Sequence, residues 1–325
     1  MSRIVVAADF GGTHLRAALV SADGTVTGRR DVKTPTGSVT PEQTIAGIVG
    51  MLTAVAQGAP ERPAAACIAT AGLIDADAGK VIIAPNIAGF RNLSIAEPFS
   101  KRLGIPVFIE NDASAAALAE YRFGAGRGTR NLVHATLGTG IGGGIVVEGR
   151  LYRGSKGLAG EIGHMIMDPA GPRCACGSRG CLEAMVSGVA FAERARRLIE
   201  SGKALILKEV VGYRDPVGGD LYIAAQRGDK ACEAEIRHGG HLLGLGLGGL
   251  VNLLNPDLVT LSGGLLGMGE MLLEPMRQAM YSLAYGPAAG TIVRISELGE
   301  NAGLLGAAAV AFERLETARV LSAEC

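Results

Sequence analysis

Short apolar runs separated by glycine turns open the chain. Ile4–Ala8 and Leu15–Val20 flank Gly11-Gly12, and Ala22-Asp23-Gly24 makes the next turn, a pattern that predicts strand, glycine turn, strand. The period then lengthens. Ile45, Ile48, Val49, Leu52 and Val55 fall on one helical face between Thr40 and Gln57, with Thr40 placed as N-cap and Pro41 at the first position. Further along, Ala64–Ala69 predicts a short buried strand, Ile95–Leu103 a helix, Val107–Glu110 a strand and Ala113–Tyr121 a helix.

The opening pattern then returns. RNLVHATLGTGIGGGIVVEGRLYRG again reads strand, glycine turn, strand, turn, and it aligns with VVAADFGGTHLRAALVSADGTV as an internal pseudo-repeat. Val189–Glu200 and Asp220–Gly239 predict helices. His241–Leu254 predicts a glycine-spaced apolar helix stopped by Asn255-Pro256. Leu258–Leu261 predicts a buried strand entering Ser262-Gly263-Gly264, and Gly303–Leu315 a closing helix. Strands alternating with helices in two related halves predict an α/β protein of two lobes.

Composition narrows the class. The 325 residues are 48% apolar, enough for a core in each of two domains. The 31 basic residues balance the 31 acidic ones, so no electrostatic footprint for nucleic acid or an anionic membrane is present. The longest apolar stretch, Leu242–Leu254, is too short to span a bilayer, and the start carries no secretory pattern. A soluble cytoplasmic protein is expected. Its thiols would stay reduced, which turns a cysteine cluster toward metal or catalysis. The 49 glycines are about double the ordinary share and gather in particular loops, as where backbone approaches a ligand closely.

Two of those loops are candidates for phosphate. A tight turn after a strand, rich in Gly and Thr, presents several N–H groups and a hydroxyl to one point. Asp9 beside the first loop is a candidate magnesium ligand through water. Gly138, Gly140 and Gly143 fit the dinucleotide spacing G-x-G-x-x-G, but the chain continues there as a strand instead of opening a helix. Gly244, Gly246 and Gly249 fit it inside an apolar helix, where close packing explains them. No G-x-x-x-x-G-K-S/T run exists, so a P-loop is excluded.

His164, Cys174, Cys176 and Cys181 lie within 18 residues, in a loop rich in Gly and Pro. The spacing His-x9-Cys-x-Cys-x4-Cys offers a complete Cys3His set for structural zinc. A closed site leaves no open position, so the metal is expected to hold the loop, with Glu161 and Glu183 on either side. Cys67, Cys232 and Cys325 carry no such signal. Asp112 stands at the end of a strand just before a helix. It reads either as a helix cap or, since strand ends in α/β folds face the ligand crevice, as a carboxylate that takes a proton from an attacking hydroxyl.

Taken in order, DFGGTHLR, PNI, ENDASAAALAE, LGTGIGGG, GEIGH, CACGSRGCLEA and LSGG resemble the ROK family of sugar kinases and repressors, over Ile4 to about Phe312. The resemblance is closest to the family's bacterial glucokinases. It implies a two-lobed actin-like ATPase fold (sugar kinase, heat-shock ATPase and actin; ribonuclease H-like) with a zinc loop. The small lobe would be 1–112 plus 304–325. The large lobe would be 113–303, with the zinc loop at 164–181. ATP would lie between the lobes, its phosphates and Mg2+ held by Asp9, Gly11, Gly12, Thr13, Thr139 and Gly140, with Gly263 and Gly264 facing the adenosine. Asn86, Asn111, Asp112, Glu161, His164 and Glu183 match the family's sugar-binding positions. Asp112 would be general base on the 6-hydroxyl, and His164 would serve both Zn2+ and sugar through its two ring nitrogens. Phe90 stands where the family often has Trp, and Ala69-Thr70-Ala71-Gly72 replaces a Gly/Pro-rich turn.

The resemblance implies ATP-dependent phosphorylation of glucose by a homodimer or homotetramer. The alternatives are another hexose kinase of the family (for N-acetylmannosamine, fructose or allose), polyphosphate as donor, or a non-catalytic sugar-binding protein. A repressor is disfavoured, because the phosphate loop begins at Asp9 and leaves no space for a DNA-binding helix pair before it.

Overall fold

The structure is a computed structural model that describes residues 4–34, 40–84, 87 and 90–323. Its strands and helices follow in chain order as β1 (Ile4–Phe10), β2 (His14–Ser21), β3 (Val26–Lys33), α1 (Pro41–Gln57), β4 (Ala66–Thr70), β5 (Leu73–Asp75), β6 (Lys80–Ile83), β7 (Arg91–Ser94), α2 (Ala96–Leu103), β8 (Val107–Asn111) and α3 (Asp112–Phe123). The second half adds β9 (Leu132–Leu137), β10 (Ile141–Val147), β11 (Arg150–Leu151), α4 (Leu182–Val186), α5 (Gly188–Glu200), α6 (Leu205–Val211), α7 (Gly218–Gln226), α8 (Lys230–Leu254), β12 (Leu258–Ser262), α9 (Glu270–Leu283), β13 (Ile292–Ile295) and α10 (Ala302–Ala323).

The repeat seen in the sequence is a repeat of strand order. One five-stranded sheet runs β3-β2-β1-β4-β8 and the other β11-β10-β9-β12-β13, the same third-second-first-fourth-fifth arrangement. In the first sheet β1 pairs antiparallel with β2 and parallel with β4, and β4 pairs parallel with β8. β5, β6 and β7 form a small antiparallel sheet that the sequence pattern did not announce.

Contacts group the chain into two units: Met1–His134 with Gly144–Gly160 and Ser296–Cys325, and Ala135–Gly143 with Glu161–Ile295. The expected boundary at 112/113 differs from this grouping, because α3 packs along α10 and stays with the first unit. In that unit the first sheet is covered by α1 on one face, where Ile48, Val49, Leu52 and Val55 join Phe10, Leu15 and Ile68 in one apolar cluster. α1 begins as expected: Thr40 caps it, Gln43 returns the bond to complete a capping box, and Pro41 fills the first position. Phe90 is 3% exposed and packs against Phe10 with ring centroids 5.7 Å apart, which makes it a core residue.

In the second unit the expected division of 220–254 is corrected. The break falls after α7, where Asp229 caps α8 by accepting the Ala231 and Cys232 N–H groups at 3.2 Å. Gly239, the expected end of one helix, and Gly240 after it both lie inside α8. Gly240 presses on the Leu272 carbonyl and Gly244 on that of Met276, so these glycines let α8 and α9 approach closely. α9 itself was hidden by Pro275, which interrupts the helical pattern and packs against Gly240. Among the described residues no helix is long and apolar enough to cross a membrane.

Candidate functional site

Three parallel strands of the first unit end on one edge. Phe10 of β1, Thr70 of β4 and Asn111 of β8 are in register, and the Thr70 hydroxyl donates to the Phe10 carbonyl at 2.9 Å. The Gly11–Thr13 turn leaves β1 there, and α3 leaves β8 two strands away, roughly 10 Å at ordinary strand spacing. Thr34 pins the turn: its hydroxyl donates to the Gly11 carbonyl at 2.7 Å and its N–H to the Thr13 carbonyl at 2.8 Å. Asp9 faces Arg16 at 3.3 Å, and Arg16 reaches Asp31 at 3.1 Å. Burial pushes the Asp9 carboxyl above its usual range, with Arg16 opposing. Gly303 of α10 packs directly on the Asp9 carboxylate, where a side chain would collide.

The cap of α3 is Asn111 and not Asp112, a correction to one of the two readings of Asp112. Asn111 Oδ1 accepts the Ser114 N–H at 3.0 Å, while its Nδ2 donates to the Gly72 carbonyl at 3.1 Å. An amide has two N–H groups and two lone pairs, so both bonds leave capacity for a ligand. Asp112 is the first helical residue, its Oδ1 accepting the Ala113 N–H at 2.9 Å. One residue upstream of the cap, buried Glu110 pairs with Arg153 at 2.7 Å. Arg153 also holds Glu313 of α10 at 2.7 Å, and Glu110 accepts the Asn111 N–H at 3.0 Å. Burial raises the Glu110 carboxyl, with Arg153 pulling against it. A charged residue at the end of the apolar strand VFIE was the available signal for this network.

In the second unit the repeat of the glycine turn is closed by the Gly138 N–H on the Gly140 carbonyl at 2.9 Å. The start of α5 holds it, with Gly188 N–H on the Gly138 carbonyl at 2.8 Å and Val189 N–H on that of Thr139 at 3.3 Å. Glu183 of α4 holds it too, its Oε2 accepting the Ile141 N–H at 2.9 Å. Gly263 adopts φ +102° and presses on the Leu137 backbone just before the turn, where any side chain would clash. Gly264 follows it and opens a short 3-10 turn.

Glu161, His164 and Glu183 come together in this unit. His164 Nε2 lies 3.9 Å from Glu161 Oε2. The Glu161 carboxyl is raised by burial and by Glu183, with His164 opposing. The other ring nitrogen of His164, Nδ1, is 3.7 Å from the Cys174 sulfur, and the sulfurs of Cys176 and Cys181 are 3.7 Å apart. All four donor atoms lie within 4.8 Å of one another. Zinc bonded to sulfur at ~2.3 Å places two tetrahedral sulfurs about 3.8 Å apart, so the donor set and its spacing fit Zn2+. Backbone hydrogen bonding at Ser178 draws the Cys176 thiol down to about 7, whereas burial pushes Cys181 up to about 12. The thiols must lose their protons to bind metal, so loading would release acid.

The structure therefore assembles two clusters. Asp9, the Gly11–Thr13 turn, Asn111 and Asp112 belong to the first unit. Thr139, Gly140, Glu161, His164, Glu183, Gly263 and the three cysteines belong to the second. Asn86 lies outside the described residues. Thr34, Ile141, Arg16 and Arg153 support these clusters and were not singled out by the sequence pattern.

Comparison with known proteins gives a consistent assignment. The ROK family model matches residues 5–314. A glucokinase of Thermotoga maritima is 35% identical over 96% of this chain and 98% of its own length. The crystal structure of a ROK family glucokinase from Streptomyces griseus, in complex with glucose and AMPPNP, superposes with a TM-score of 0.76 at 34% identity, covering 94% of this chain and 98% of that one. A xylose repressor of Bacillus subtilis is 31% identical over 95% of this chain and 77% of its own length. With the family model spanning nearly the whole sequence, the chain belongs to the ROK family.

Proposed function

We propose that this protein transfers the terminal phosphoryl group of ATP to the 6-hydroxyl of glucose, with Asp112 as general base. The observation that carries this reading is the shared sheet edge: the Gly11–Thr13 turn and Asp112 leave strands that end in register, two positions apart. A phosphate gripped by the turn and a hydroxyl held at Asp112 would then meet on one edge.

The chemistry follows from the residue types. Asp112 accepts the proton of the 6-hydroxyl as that oxygen forms its bond to the γ-phosphorus, and the bond from that phosphorus to the bridging oxygen breaks to leave ADP. Backbone N–H groups of the two glycine turns, with the Thr13 and Thr139 hydroxyls, hold phosphate oxygens. Asp9 is an oxygen ligand of the kind Mg2+ takes, and the ion, when bound, neutralises charge on the phosphates. Asn111, Glu161, His164, Glu183 and Asn86 pair with sugar hydroxyls. A site of carboxylates and amides penalises an epimer, because a misplaced hydroxyl leaves a buried polar group without its partner. Zn2+ on His164, Cys174, Cys176 and Cys181 would fasten the 164–181 loop, which Glu161 precedes and Glu183 follows.

The experiment is ADP release from Mg-ATP by purified protein offered glucose, mannose, N-acetylmannosamine, fructose and allose in turn. Turnover led by glucose is the expected result. Turnover led by another hexose keeps the mechanism and overturns the substrate. No turnover with any of them, from zinc-loaded protein, overturns the kinase reading in favour of sugar binding alone or a donor other than ATP.

A further inference from the structure

Glu183 does something that sugar recognition does not require. One of its oxygens, Oε2, accepts the Ile141 N–H at 2.9 Å. The carboxylate lies directly over Gly140: a methyl built on Gly140 would collide with Oε2, and the three atoms nearest to it all belong to Glu183. Gly140 has no left-handed backbone angle, and its missing side chain leaves room for this close approach. The same turn is also fastened to the start of α5 through Gly188 and Val189. The 138–141 turn is thus clasped by one short segment, α4 and the first residues of α5. Among the described residues, Glu183 is the only side chain of that segment bonded to the turn.

A carboxylate has two oxygens and about four lone-pair positions. With Oε2 on Ile141, Oε1 remains to face a hydroxyl. A sugar bound there would immobilise the Glu183 side chain. The immobilised carboxylate would in turn fix the Ile141 N–H and the turn whose N–H groups grip phosphate. A nucleotide arriving second would meet a turn already ordered, and the effect must be reciprocal.

We propose that Glu183 is a positioning residue for the Gly138–Ile141 turn as well as a sugar contact, so that hexose and nucleotide strengthen each other's binding through this one carboxylate. The proposal rests on the reading above, in which Glu183 faces sugar and Thr139-Gly140 face phosphate. A single charge-assisted hydrogen bond places the reinforcement near the low end of the usual range, about tenfold.

Calorimetric titration with Mg-AMPPNP, which is not turned over, tests it. In the unaltered protein saturating glucose should tighten the nucleotide about tenfold. Without sugar, Glu183→Ala and Gly140→Ala should each weaken the nucleotide several-fold. The double variant should be no weaker than either single one, because the methyl added at position 140 then has no carboxylate left to displace. Glu183→Gln keeps an oxygen for the Ile141 N–H and should retain near-normal nucleotide binding. The proposal is overturned if Glu183→Ala binds AMPPNP normally, or if Gly140→Ala weakens it equally with and without Glu183. Zinc content and thermal unfolding of each variant serve as the folding control. Gly140→Ala displaces only the end of a flexible side chain, so it tests the idea even if Glu183→Ala folds poorly. An unaltered protein that fails to bind glucose or AMPPNP at all overturns the kinase reading instead; binding of both with no mutual effect overturns this inference alone.

Discussion

Arg153 reaches Glu110 at 2.7 Å, both largely buried, one residue before the cap of α3 and two before Asp112. The guanidinium bridges Glu110 to Glu313 and so ties the strand end to α10. Removing one member of a buried ion pair leaves an uncompensated charge, whereas removing both can be nearly neutral. Arg153→Met should therefore lower the free energy of unfolding by about 3–5 kcal/mol in urea titration. The triple change Glu110→Gln, Arg153→Met, Glu313→Gln should recover most of that loss. A single variant as stable as the unaltered protein would show the network to be idle.

Asp220 supplies a pH signature in the second unit. Its side chain is buried, yet it accepts both Arg214 nitrogens at 2.8 and 2.6 Å and the Val217 N–H at 2.8 Å. Burial alone would raise its carboxyl; the Arg214 fork and the Val217 N–H outweigh that, and the net shift is downward. A carboxyl lowered in the folded state contributes stability that is complete above its unfolded value, near 4, and disappears as pH falls through the lowered one. Asp220→Asn should cost about 2 kcal/mol at neutral pH. The gap between variant and unaltered protein should narrow as the pH is lowered below about 4. A gap of constant size in denaturation across that range would mean that the ionised carboxylate contributes nothing.

What was legible in the sequence was local. The zinc set lies in one loop, so spacing alone identified His164, Cys174, Cys176 and Cys181, and the geometry agrees. The strand–glycine–strand units also lie within short windows, so their repetition anticipated two related halves, which the structure shows as two sheets of one strand order. The rest depends on partners distant in the chain. Arg153 meets Glu110 across 43 residues and Glu313 across 160, separations at which no pattern remains. Gly239 and Gly240 looked like a helix end because the signal of a terminating glycine is the same as that of a glycine pressed against another element. Only the Phe191 ring and the Leu272 carbonyl beside them separate the two cases. Asn111 and Asp112 are both good caps by residue type, and the bond to Ser114 decides between them.

The zinc loop gives a second kind of test. Cys176 is the exposed cysteine of the set, so Cys176→Ser removes a ligand with little loss of core packing. The unaltered protein should carry about one zinc per chain, as a closed four-ligand site requires. The variant should lose zinc to a chelator concentration that leaves the unaltered protein loaded. Because the loop carries His164 and leads into Glu183, its KM for glucose should rise at least several-fold, with the KM for ATP changed less. Equal zinc retention, or full activity after zinc has been stripped, would separate the metal from the sugar wall.

Asp112→Asn tests the proton transfer itself. Asparagine keeps an oxygen for the Ala113 N–H, now bonded at 2.9 Å, and the Asn111 cap is untouched, so α3 should start where it does now. What disappears is the ability to take a proton, an effect of ~10²–10⁴-fold on kcat where a positioned base assists. Glucose affinity by calorimetry should stay within a few-fold, since the amide still pairs with a hydroxyl. A fall in kcat without a fall in affinity assigns the loss to the chemical step, because binding to ground state and transition state would otherwise decline together. Turnover near that of the unaltered protein would remove Asp112 from the reaction and leave its carboxylate a role in the first turn of α3 alone.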